Sequence, residues 1–433
     1  MKEVSGFSKR SKEEKITWLT SHFFKSPDKA SAVLKQYWNE DIKLQQLHDE
    51  FSENTLSNYY LPFGVAPNFK INNAFYAIPM VTEESSVVAA ACKAAKFWKD
   101  KGGFKAEVLG TTKSGQVHFL YKGSYPELQA FFQQIKTQLW NSTASLTQNM
   151  RKRGGGLTRM ELVDKTTALE NYYQLDCDFE TADAMGANFI NSCLEQIAKT
   201  FKGLAMEDET LSETPEIIMS ILSNYVPKCL VRAEVNCSIN DFFPDKDTSQ
   251  NFARKFVEAV KIARVVIERA VTHNKGIMNG IDAVILATGN DFRAIEACAQ
   301  AYACRSGQYS SLTQAEIQGD QFRFWIEIPL ALGTVGGLTR LHPMVTFALE
   351  LLQNPTAKEL MQIVAVVGLA QNFAAIGSLV TTGIQEGHMK MHLNNILNQF
   401  EATAEERKQI TLHFKSHTVS YRSVLDQLEK IRK

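Results

Sequence analysis

Apolar residues recur every three or four positions among charged residues near the beginning of the chain, between Ser11 and Ser57. This spacing is typical of amphipathic helices and predicts an amino-terminal helical arm. An Asn-Asn turn precedes a short apolar run from Ala74 to Val81. A helix is then predicted from about Glu83 to Lys101, because Gly102 and Gly103 readily adopt the left-handed backbone that ends helices.

The pattern changes between residues 104 and about 210, where strand-like and helix-like apolar runs are interleaved. The strand-like runs are Ala106–Leu109, Gln116–Tyr121, Met160–Leu162 and Tyr172–Phe179, and the helix-like runs are Tyr125–Leu139 and Ala184–Lys199. Strands that alternate with helices in this way favour a small α+β domain inserted into a larger one. The sequence contains neither the glycine pattern of a Rossmann turn nor that of a P-loop, so a standard nucleotide-binding turn is not supported.

The second half of the chain is rich in helical patterns. Phe322–Leu332 is the clearest late strand, and a final helical segment begins near Gly383. The apolar stretch from Ile363 to Val380 carries Gln371 and Asn372 at its middle. An uninterrupted run of about 18 apolar residues is the usual mark of a membrane span. We therefore expect a buried helix at this stretch and no membrane span.

The charge balance narrows the function classes. Lys and Arg total 47 and Asp and Glu total 47, so the formal net charge is zero. This argues against a protein that acts mainly on nucleic acid or on an acidic membrane. The seven Cys residues are scattered without any C-x-x-C pair, so neither a disulfide framework nor a zinc ribbon is indicated. The charged amino terminus lacks the apolar core of a signal peptide, and we expect a folded cytoplasmic protein with reduced thiols.

Two segments combine side chains that are unusual for their surroundings. The string PMVTEESS places Glu83 and Glu84 at the start of an apolar helix, and the ordinary explanation is that acids in a first turn favour the helix dipole. The string RAVTHNKGIMNG, from Arg269 to Gly280, gathers basic and amide side chains around two Gly residues. We interpret this string as a loop that follows a long apolar helix and approaches a carboxylate or carbonyl ligand closely.

Further segments allow more than one interpretation. ATGNDFR is expected to form a strand-to-helix turn in which Asp291 is either a helix cap or a chemical group. RKRGGG, from Arg151 to Gly156, is either a solvated charged turn or a phosphate cradle. His388 and His392 have the spacing of a helical zinc site, but their segment lacks the general-base Glu of H-E-x-x-H. A single proton-donating His fits better, so we expect no metal.

Six strings in this order resemble the signature segments of class II, bacterial 3-hydroxy-3-methylglutaryl-coenzyme A (HMG-CoA) reductases: PMVTEES, DAMGAN, THNKGIMNG, ATGND, VGLAQN and GIQEGHM. The resemblance extends from about Leu19 to the last helix. It implies an α+β fold with a large helix-rich HMG-CoA-binding domain, an inserted small ferredoxin-like α+β domain for the cofactor and a carboxyl-terminal helical flap that carries a catalytic His. The implied boundaries are 1–110 and 216–380 for the large domain, 111–215 for the small domain and 381–433 for the flap.

The resemblance implies a four-electron reduction of (S)-HMG-CoA to (R)-mevalonate and CoA by two NADPH, for isoprenoid precursors, and assigns the chemistry to Glu84, Lys275, Asp291 and His388. Lys275 would stabilise the oxyanion formed by hydride attack on the thioester. His388 would protonate the departing thiolate, since imidazolium and thiol pKa values of roughly 6.5 and 8.5 allow transfer near neutral pH. Glu84 would protonate the alkoxide of the second step if burial and Asp291 raise its pKa. The segment after Gly383 would act as a lid, because oxidised cofactor must leave between the two hydride transfers.

The resemblance also implies the binding residues. Those for the substrate are Ser86, Asn224, Arg269, Thr272, Asn279, Gln371 and Asn372, and those for the cofactor are Thr147, Arg151, Lys152, Gly154, Gly155, Asp183, Met185, Gly186, Ala187 and Asn188. NAD-using members carry an acid, suited to a ribose 2′-hydroxyl, at the position that matches Thr147. Thr147, followed by Arg151 and Lys152, therefore favours NADPH and the biosynthetic direction. The alternative is an NAD-dependent enzyme that oxidises mevalonate.

The resemblance further implies a homodimer, or an assembly of dimers, with HMG-CoA, mevalonate and CoA as ligands and no nucleic-acid or membrane partner. The segment ENTLS, from Glu53 to Ser57, departs from the family's ENVIG, which leaves details of the dimer interface open. A remote alternative from another class is a metal-dependent hydrolase that uses His388 and His392.

Overall fold

The computed structural model describes residues 3–381, 393, 396–414, 417 and 419–432 of the 433-residue chain. The chain divides into two compact units, residues 1–62 and residues 63–433. The first unit contains α1 (Lys12–Phe23), α2 (Pro27–Gln36) and α3 (Ile42–Asp49). Ser11 and Glu14 form a reciprocal capping box at the start of α1, and the Lys12 ammonium lies 2.7 Å from the Asp49 carboxylate. The predicted helical arm is confirmed.

The second unit mixes strands and helices. Its strands are β1 (Phe63–Ile71), β2 (Ala74–Val81), β3 (Lys105–Val108), β4 (Lys113–Leu120), β5 (Gly156–Asp164), β6 (Tyr172–Glu180), β7 (Glu216–Leu222), β8 (Leu230–Ser238), β9 (Thr313–Gln318) and β10 (Gln321–Pro329). Its helices are α4 (Val87–Lys99), α5 (Tyr125–Ser142), α6 (Ala144–Arg151), α7 (Ala187–Glu207), α8 (Lys246–Val265), α9 (Ile267–Ala287), α10 (Phe292–Ala303), α11 (Pro343–Leu351), α12 (Ala357–Val380), α13 (Ala404–His413) and α14 (Tyr421–Arg432). The prediction of mixed helix and sheet is confirmed.

The antiparallel hairpin of β1 and β2 leads directly to the site. Asn72 and Asn73 turn the chain with φ values of 47° and 71°, because Asn tolerates left-handed backbone better than most residues. Helix α4 starts at Val87, so the expectation that Glu83 and Glu84 open this helix is wrong. The two acids lie in the turn that precedes α4, so the directions of their side chains are not set by helix geometry.

An antiparallel sheet with the order β3-β8-β10-β9 supports the larger hydrophobic core. Helices α4, α8, α9, α10 and α12 contribute to this core, whose rings of Trp98, Phe256 and Phe322 are fully buried. Removal of this apolar surface from water drives the packing. The core therefore fixes α4, α9 and α12 relative to one another, and these helices form the walls of the candidate site.

A second antiparallel sheet has the order β5-β6-β4-β7. Along the chain its elements run β4-α5-α6-β5-β6-α7-β7, and its own core includes Phe119, Phe131, Phe179 and Phe201. Strand β7 was not predicted from the sequence. Its sequence, EIIMSIL, lacks the alternation of apolar and polar residues that identifies a half-buried strand, and all of its residues are exposed or half-buried.

Helix α12 is long and apolar enough to cross a membrane by length and composition, but 72% of its most apolar window is buried within the protein. Its capping box of Thr356 and Glu359 starts the helix. The expectation of a buried helix is confirmed. Gln371 and Asn372 are themselves buried, so this helix brings amide groups into the core beside the candidate site.

The carboxyl-terminal helices α13 and α14 share a small apolar cluster that includes Leu397, Ile410 and Val424. The Arg432 guanidinium lies 2.7 Å from the Glu406 carboxylate, which links the two helices. The predicted start of the last helical segment near Gly383 lies outside the described residues.

Candidate active site

An ion pair joins two of the residues assigned to the chemistry. The Lys275 ammonium, in the middle of α9, lies 2.5 Å from the Glu84 carboxylate, and the two side chains are 60% and 39% exposed. The backbone N–H of Glu84 donates to the Thr82 hydroxyl at 3.2 Å, which holds the turn between β2 and α4. Both charged groups are therefore positioned by the fold and open to a ligand.

The ion pair borders a cavity of about 350 Å³. The residues predicted for substrate binding that line it come from the turn ahead of α4, from α9 and from α12: Ser86, Arg269, Thr272, Asn279, Gln371 and Asn372. The structure thus brings these side chains together with Glu84 and Lys275, although up to 288 positions separate them along the chain.

The string RAVTHNKGIMNG lies inside α9, so its interpretation as a loop is wrong. Arg269, Thr272, Gly276 and Asn279 have the spacing of one helix face and all line the cavity. Gly280 lies on the side that faces α12, where an added Cβ would come within 2.9 Å of the Val367 carbonyl oxygen. The glycines thus allow close helix packing and an open cavity wall, and they do not break the helix.

Ser86 adopts an unusual backbone conformation. It precedes α4 with a φ of 76°, in the left-handed region that non-glycine residues rarely occupy. Strain of this kind persists only where the surrounding structure imposes it, and it is frequent at functional sites. Since Ser86 also lines the cavity, the strained turn presents its side chain beside Glu84.

Arg269 provides a second positive charge in the cavity. Its side chain is half-buried, and burial lowers the pKa of its guanidinium. Within the part of the chain that the structure describes, Arg269 forms no ion pair of 4.0 Å or less. A guanidinium that is partly desolvated and not neutralised is suited to bind a carboxylate in two-pronged geometry.

A buried polar network supports the cavity wall, and of its members the sequence analysis named Asn372 but not His273 or Thr313. A ring nitrogen of His273, Nε2, lies 2.5 Å from the Thr313 hydroxyl, which donates to Asn372 Oδ1 at 3.0 Å. The Asn372 amide in turn donates to the His273 carbonyl oxygen at 3.3 Å. Burial, together with nearby Arg269, lowers the pKa of His273 to about 3, so the imidazole is neutral. The only sequence signal was the position of His273 within THNKGIMNG.

Asp291 lies outside the residues that line this cavity. It caps α10, where its carboxylate accepts hydrogen bonds from the backbone N–H groups of Arg293 at 3.1 Å and Ala294 at 3.2 Å. The turn that contains it joins α9 to α10, so the expected strand-to-helix turn is wrong. Gly289 has a φ of 67° in this turn, a conformation that ends α9 readily.

Asn224 lines a different, much smaller cavity. Met185 and Ala187 of the DAMGAN string line the same cavity, together with the side chain of Lys113. The structure therefore brings Asn224 to residues predicted for the cofactor, away from the substrate cavity. Lys113 was not singled out in the sequence, since nothing in its local pattern distinguishes it from other strand residues.

The remaining residues of DAMGAN form a turn and the first turn of α7. The Asp183 carboxylate accepts a hydrogen bond from the backbone N–H of Ala357 at 2.8 Å. Gly186 precedes α7 with a φ of 92°, and an added Cβ would lie 2.4 Å from the Thr181 methyl group, so only glycine fits. Asn188 is exposed. The backbone thus approaches its neighbours closely where the cofactor was predicted to bind.

The basic turn after α6 is exposed to solvent. Arg151 and Lys152 are exposed, and neither takes part in an ion pair among the described residues. Gly154 has a φ of 82° and open space around it, whereas an added Cβ on Gly155 would lie 2.5 Å from the Glu180 carbonyl oxygen. Thr147 is fully buried, and its hydroxyl donates to the Thr143 carbonyl oxygen at 2.9 Å. His388 and His392 lie outside the described residues.

Comparisons with known proteins agree with the assembly of these strings. The sequence model of the family described as hydroxymethylglutaryl-coenzyme A reductase matches residues 12–393. The 3-hydroxy-3-methylglutaryl-coenzyme A reductase of Archaeoglobus fulgidus is 34% identical over 406 residues, which cover 93% of this chain and 88% of the relative. A probable reductase of the same name from Borreliella burgdorferi is 35% identical over 366 residues, or 83% of this chain and 81% of that protein.

Solved structures are similar as well. The class II 3-hydroxy-3-methylglutaryl-CoA reductase from Streptococcus pneumoniae, bound to NADPH in open conformations, aligns with a TM-score of 0.72 and 35% identity over 88% of this chain and all of that one. Another structure of the Streptococcus pneumoniae reductase aligns with a TM-score of 0.73 and 34% identity over 99% of this chain. The family match over most of the chain and these relatives show that the chain belongs to the hydroxymethylglutaryl-coenzyme A reductase family.

Proposed function

We propose that the chain reduces HMG-CoA to mevalonate and CoA with two NADPH, in the biosynthetic direction. The observation that carries this proposal is the ion pair of Glu84 and Lys275 at a cavity that also holds Arg269. A carboxyl group, an ammonium and a free guanidinium are the groups that thioester reduction of an anionic substrate requires. Family membership supports the same reaction.

Lys275 stabilises negative charge as it forms on the thioester oxygen. Its ammonium is held by Glu84 at 2.5 Å, so it is oriented before the reaction begins. A positioned cation lowers the barrier because it interacts more strongly with the developing oxyanion than with the neutral carbonyl. NADPH, when bound, supplies the hydride for each step.

Glu84 and His388 handle the protons. Collapse of the first adduct breaks the carbon–sulfur bond, and His388 protonates the thiolate of CoA. The aldehyde that remains becomes an alkoxide in the second reduction. Glu84, a carboxylate in its ion pair with Lys275, takes up a proton from solvent and passes it to this alkoxide. The contact between Glu84 and Lys275 supports this role, since it would keep the proton donor beside the cation that binds the oxyanion. Asp291 keeps its assignment through the resemblance.

The cavity wall binds the remainder of the acyl group. Arg269 holds the terminal carboxylate of the substrate, assisted by Ser86 and Asn279, all of which line the cavity. Thr272, Gln371 and Asn372 orient the acyl chain from the same wall. Since Arg269 is free of ion pairs in the described part of the chain, the substrate carboxylate does not have to displace a protein acid.

The residues of the basic turn fit the 2′-phosphate of NADPH. Arg151 and Lys152 are exposed and carry unpaired charge among the described residues, and open space surrounds Gly154. An acid at position 147 would repel a phosphate group, whereas Thr147 is uncharged. The rest of the cofactor would lie against the backbone at Gly155 and Gly186 and against the side chains of Met185 and Ala187. Asp183 and Asn188 would lie at its edge.

The sheet order supports a division of labour between domains. The βαββαβ arrangement of β4, α5, β5, β6, α7 and β7, with sheet order β5-β6-β4-β7, is that of a ferredoxin-like domain. Since β7 completes the sheet of this cofactor domain, we extend the domain from the expected boundary at residue 215 to the end of β7, and assign residues 111–222 to it. We assign residues 1–110 and 223–380 to the substrate domain and residues 381–433 to the flap. We propose a cytoplasmic homodimer, as in the resemblance stated above.

The test is steady-state reduction of HMG-CoA followed by nicotinamide absorbance at 340 nm. We expect turnover with NADPH and a kcat/KM for NADPH that exceeds the value for NADH. A value at least about tenfold higher with NADH would overturn the cofactor assignment. Mevalonate, CoA and NAD⁺ in the same cuvette test the oxidative alternative, and absence of turnover with either cofactor would overturn the activity itself.

A further inference from the structure

Lys113 is a buried lysine at the start of an inner strand of the second sheet. It is the first residue of β4, and it is only 6% exposed. Its ammonium donates to the Thr181 hydroxyl at 2.5 Å and to the Ala184 carbonyl oxygen at 2.9 Å. The Thr181 hydroxyl also donates to the Ala184 carbonyl oxygen at 2.7 Å. Lys113 therefore fastens both ends of the turn 181–184 to β4.

The charge of Lys113 is not neutralised by a neighbouring acid. Among the described residues it forms no ion pair of 4.0 Å or less. Glu180 interacts with Lys113 only through longer-range electrostatics, and its carboxylate accepts hydrogen bonds from the hydroxyls of Thr111 and Thr112. Burial lowers the pKa of Lys113, and an ammonium surrounded by neutral partners makes the fold less stable than an apolar side chain of similar size would. A lysine is thus an unfavourable choice if its only role is to support the fold.

The turn that Lys113 fastens leads directly into Met185 and Gly186. Residues 333 and 334 also contact this turn: an added Cβ on Gly333 would lie 2.3 Å from the Met185 backbone nitrogen, and the Thr334 N–H donates to the Asp183 carbonyl oxygen at 2.8 Å. Lys113 and residues 333–334 therefore both hold the segment that begins at Asp183. Lys113, Met185 and Ala187 line one cavity, so a displacement of the turn changes the shape of that cavity.

We propose that Lys113 is a positioning residue for the nicotinamide cofactor, which holds the turn 181–184 so that Met185, Gly186 and Ala187 keep the conformation that binds it. The inference rests on the proposed function, since it takes the cofactor to bind at these residues. This role explains why an unpaired charge is buried here, because hydrogen bonds from an ammonium are stronger than those from a neutral donor. One of them fixes the carbonyl of Ala184, which precedes Met185.

The test is Lys113→Met, which keeps the length of the side chain and removes its charge and hydrogen bonds. We expect the Kd for NADPH, measured by fluorescence titration, and the KM for NADPH to rise about tenfold, as the loss of a hydrogen bond to a charged group predicts. The KM for HMG-CoA should stay within about twofold, and Tm should stay equal or rise because the buried charge is gone.

Two further variants sharpen the test. Thr181→Val removes the hydroxyl that receives the ammonium but keeps a methyl group beside Gly186, so it should raise the KM for NADPH in the same direction. Lys122→Met makes the same substitution at an exposed residue just beyond β4, and it should change neither Kd nor Tm.

The outcomes separate the two proposals. Unchanged NADPH affinity in Lys113→Met, with normal NADPH binding by the wild type, would overturn the role of Lys113 and leave the proposed function intact. A lower Tm together with equal rises in both KM values would also overturn it, since that is the result of a purely structural role. Failure of the wild type itself to bind NADPH would overturn the proposed function.

Discussion

The cavity beside Glu84 and Lys275 and the basic turn after α6 both contain left-handed backbone, but on different residues. At the cavity a φ of 76° falls on Ser86, whereas at the turn φ values of 82° and 129° fall on Gly154 and Gly156. Glycine adopts this conformation without strain and serine does not. The cavity therefore keeps the Ser86 side chain although its backbone is strained, whereas the basic turn presents backbone without side chains at its glycines.

The same two regions differ in how they hold positive charge. Lys275 projects from the 21-residue helix α9 and is paired with Glu84, whereas Arg151 and Lys152 are exposed at the end of the 8-residue helix α6. Charge that stabilises a transition state must be positioned in advance, while charge that captures a phosphate works at longer range. The comparison therefore predicts large effects on turnover at the cavity and smaller, salt-dependent effects on binding at the turn.

The largest effect is expected for Lys275→Ala. Loss of the oxyanion-binding cation should lower kcat by about 10³-fold, by analogy with the removal of an oxyanion-hole donor, and change the KM for HMG-CoA little. The measurement is HMG-CoA reduction at 340 nm. Lys93→Ala is the matched control, because Lys93 lines the same cavity without an ion pair in the described structure. An equal loss in this control would show that total charge matters and position does not.

Arg269→Gln should have the next largest effect. Removal of the guanidinium leaves the substrate carboxylate unpaired, so the KM for HMG-CoA should rise about 100-fold, as expected for truncation of one partner of a desolvated charge pair. The KM for NADPH should not change. Arg264→Gln, at an exposed residue of α8, serves as the control. A rise in KM for both substrates would indicate a damaged fold instead.

Combined substitution of Arg151→Ala and Lys152→Ala should raise the KM for NADPH about tenfold at low salt, and less at high salt, because exposed charges are screened. The KM for NADH is the internal control and should not change. If the KM values for both cofactors rose together, these residues would contact a group that NADPH and NADH share, and the argument for the 2′-phosphate would fail.

The smallest effect is expected at Ser86. Ser86→Gly should raise the free energy of unfolding by about 1 kcal/mol, because it relieves the left-handed strain, while kcat/KM for HMG-CoA falls through loss of the hydroxyl. Denaturant unfolding and steady-state kinetics measure the two quantities. Ser86→Ala keeps the strain and removes the same hydroxyl, so it should lower kcat/KM without the gain in stability. A loss of stability in Ser86→Gly would contradict the comparison.

Local patterns in the sequence predicted the helical arm, the strands of the second sheet apart from β7 and the buried helix α12. They failed at α9, where Gly276 and Gly280 suggested a loop. The helical spacing of Arg269, Thr272 and Asn279 was present in the string, but the reason for Gly280 lies in α12, within 2.9 Å of an added Cβ. From the local sequence, a glycine that allows contact with a distant helix cannot be distinguished from a glycine that ends its own helix.

The resemblance assigned Glu84 and Lys275 to the chemistry, and the fold joins these two residues in an ion pair at the cavity. Supporting groups such as His273 and Lys113 were not predicted, because their meaning depends on partners far along the chain. His273 pairs with Thr313, 40 residues away, and Lys113 donates to Ala184, 71 residues away. Such residues have no local signature, since the sequence around His273 or Lys113 does not reveal that the fold will bury its side chain.

The ion pair of Glu84 and Lys275 also has a consequence for how the protein becomes active. The two residues are 191 positions apart, and the whole sheet of β4 to β7 lies between them in the chain. Contacts of such high sequence separation form late in folding, because the loop they close must first become compact. During synthesis, Lys275 is made only after all the strands of the intervening sheet. The ion pair therefore cannot form while only the first 270 residues have been made. Catalytic activity should therefore not be recovered during refolding until this contact has formed, after the second sheet.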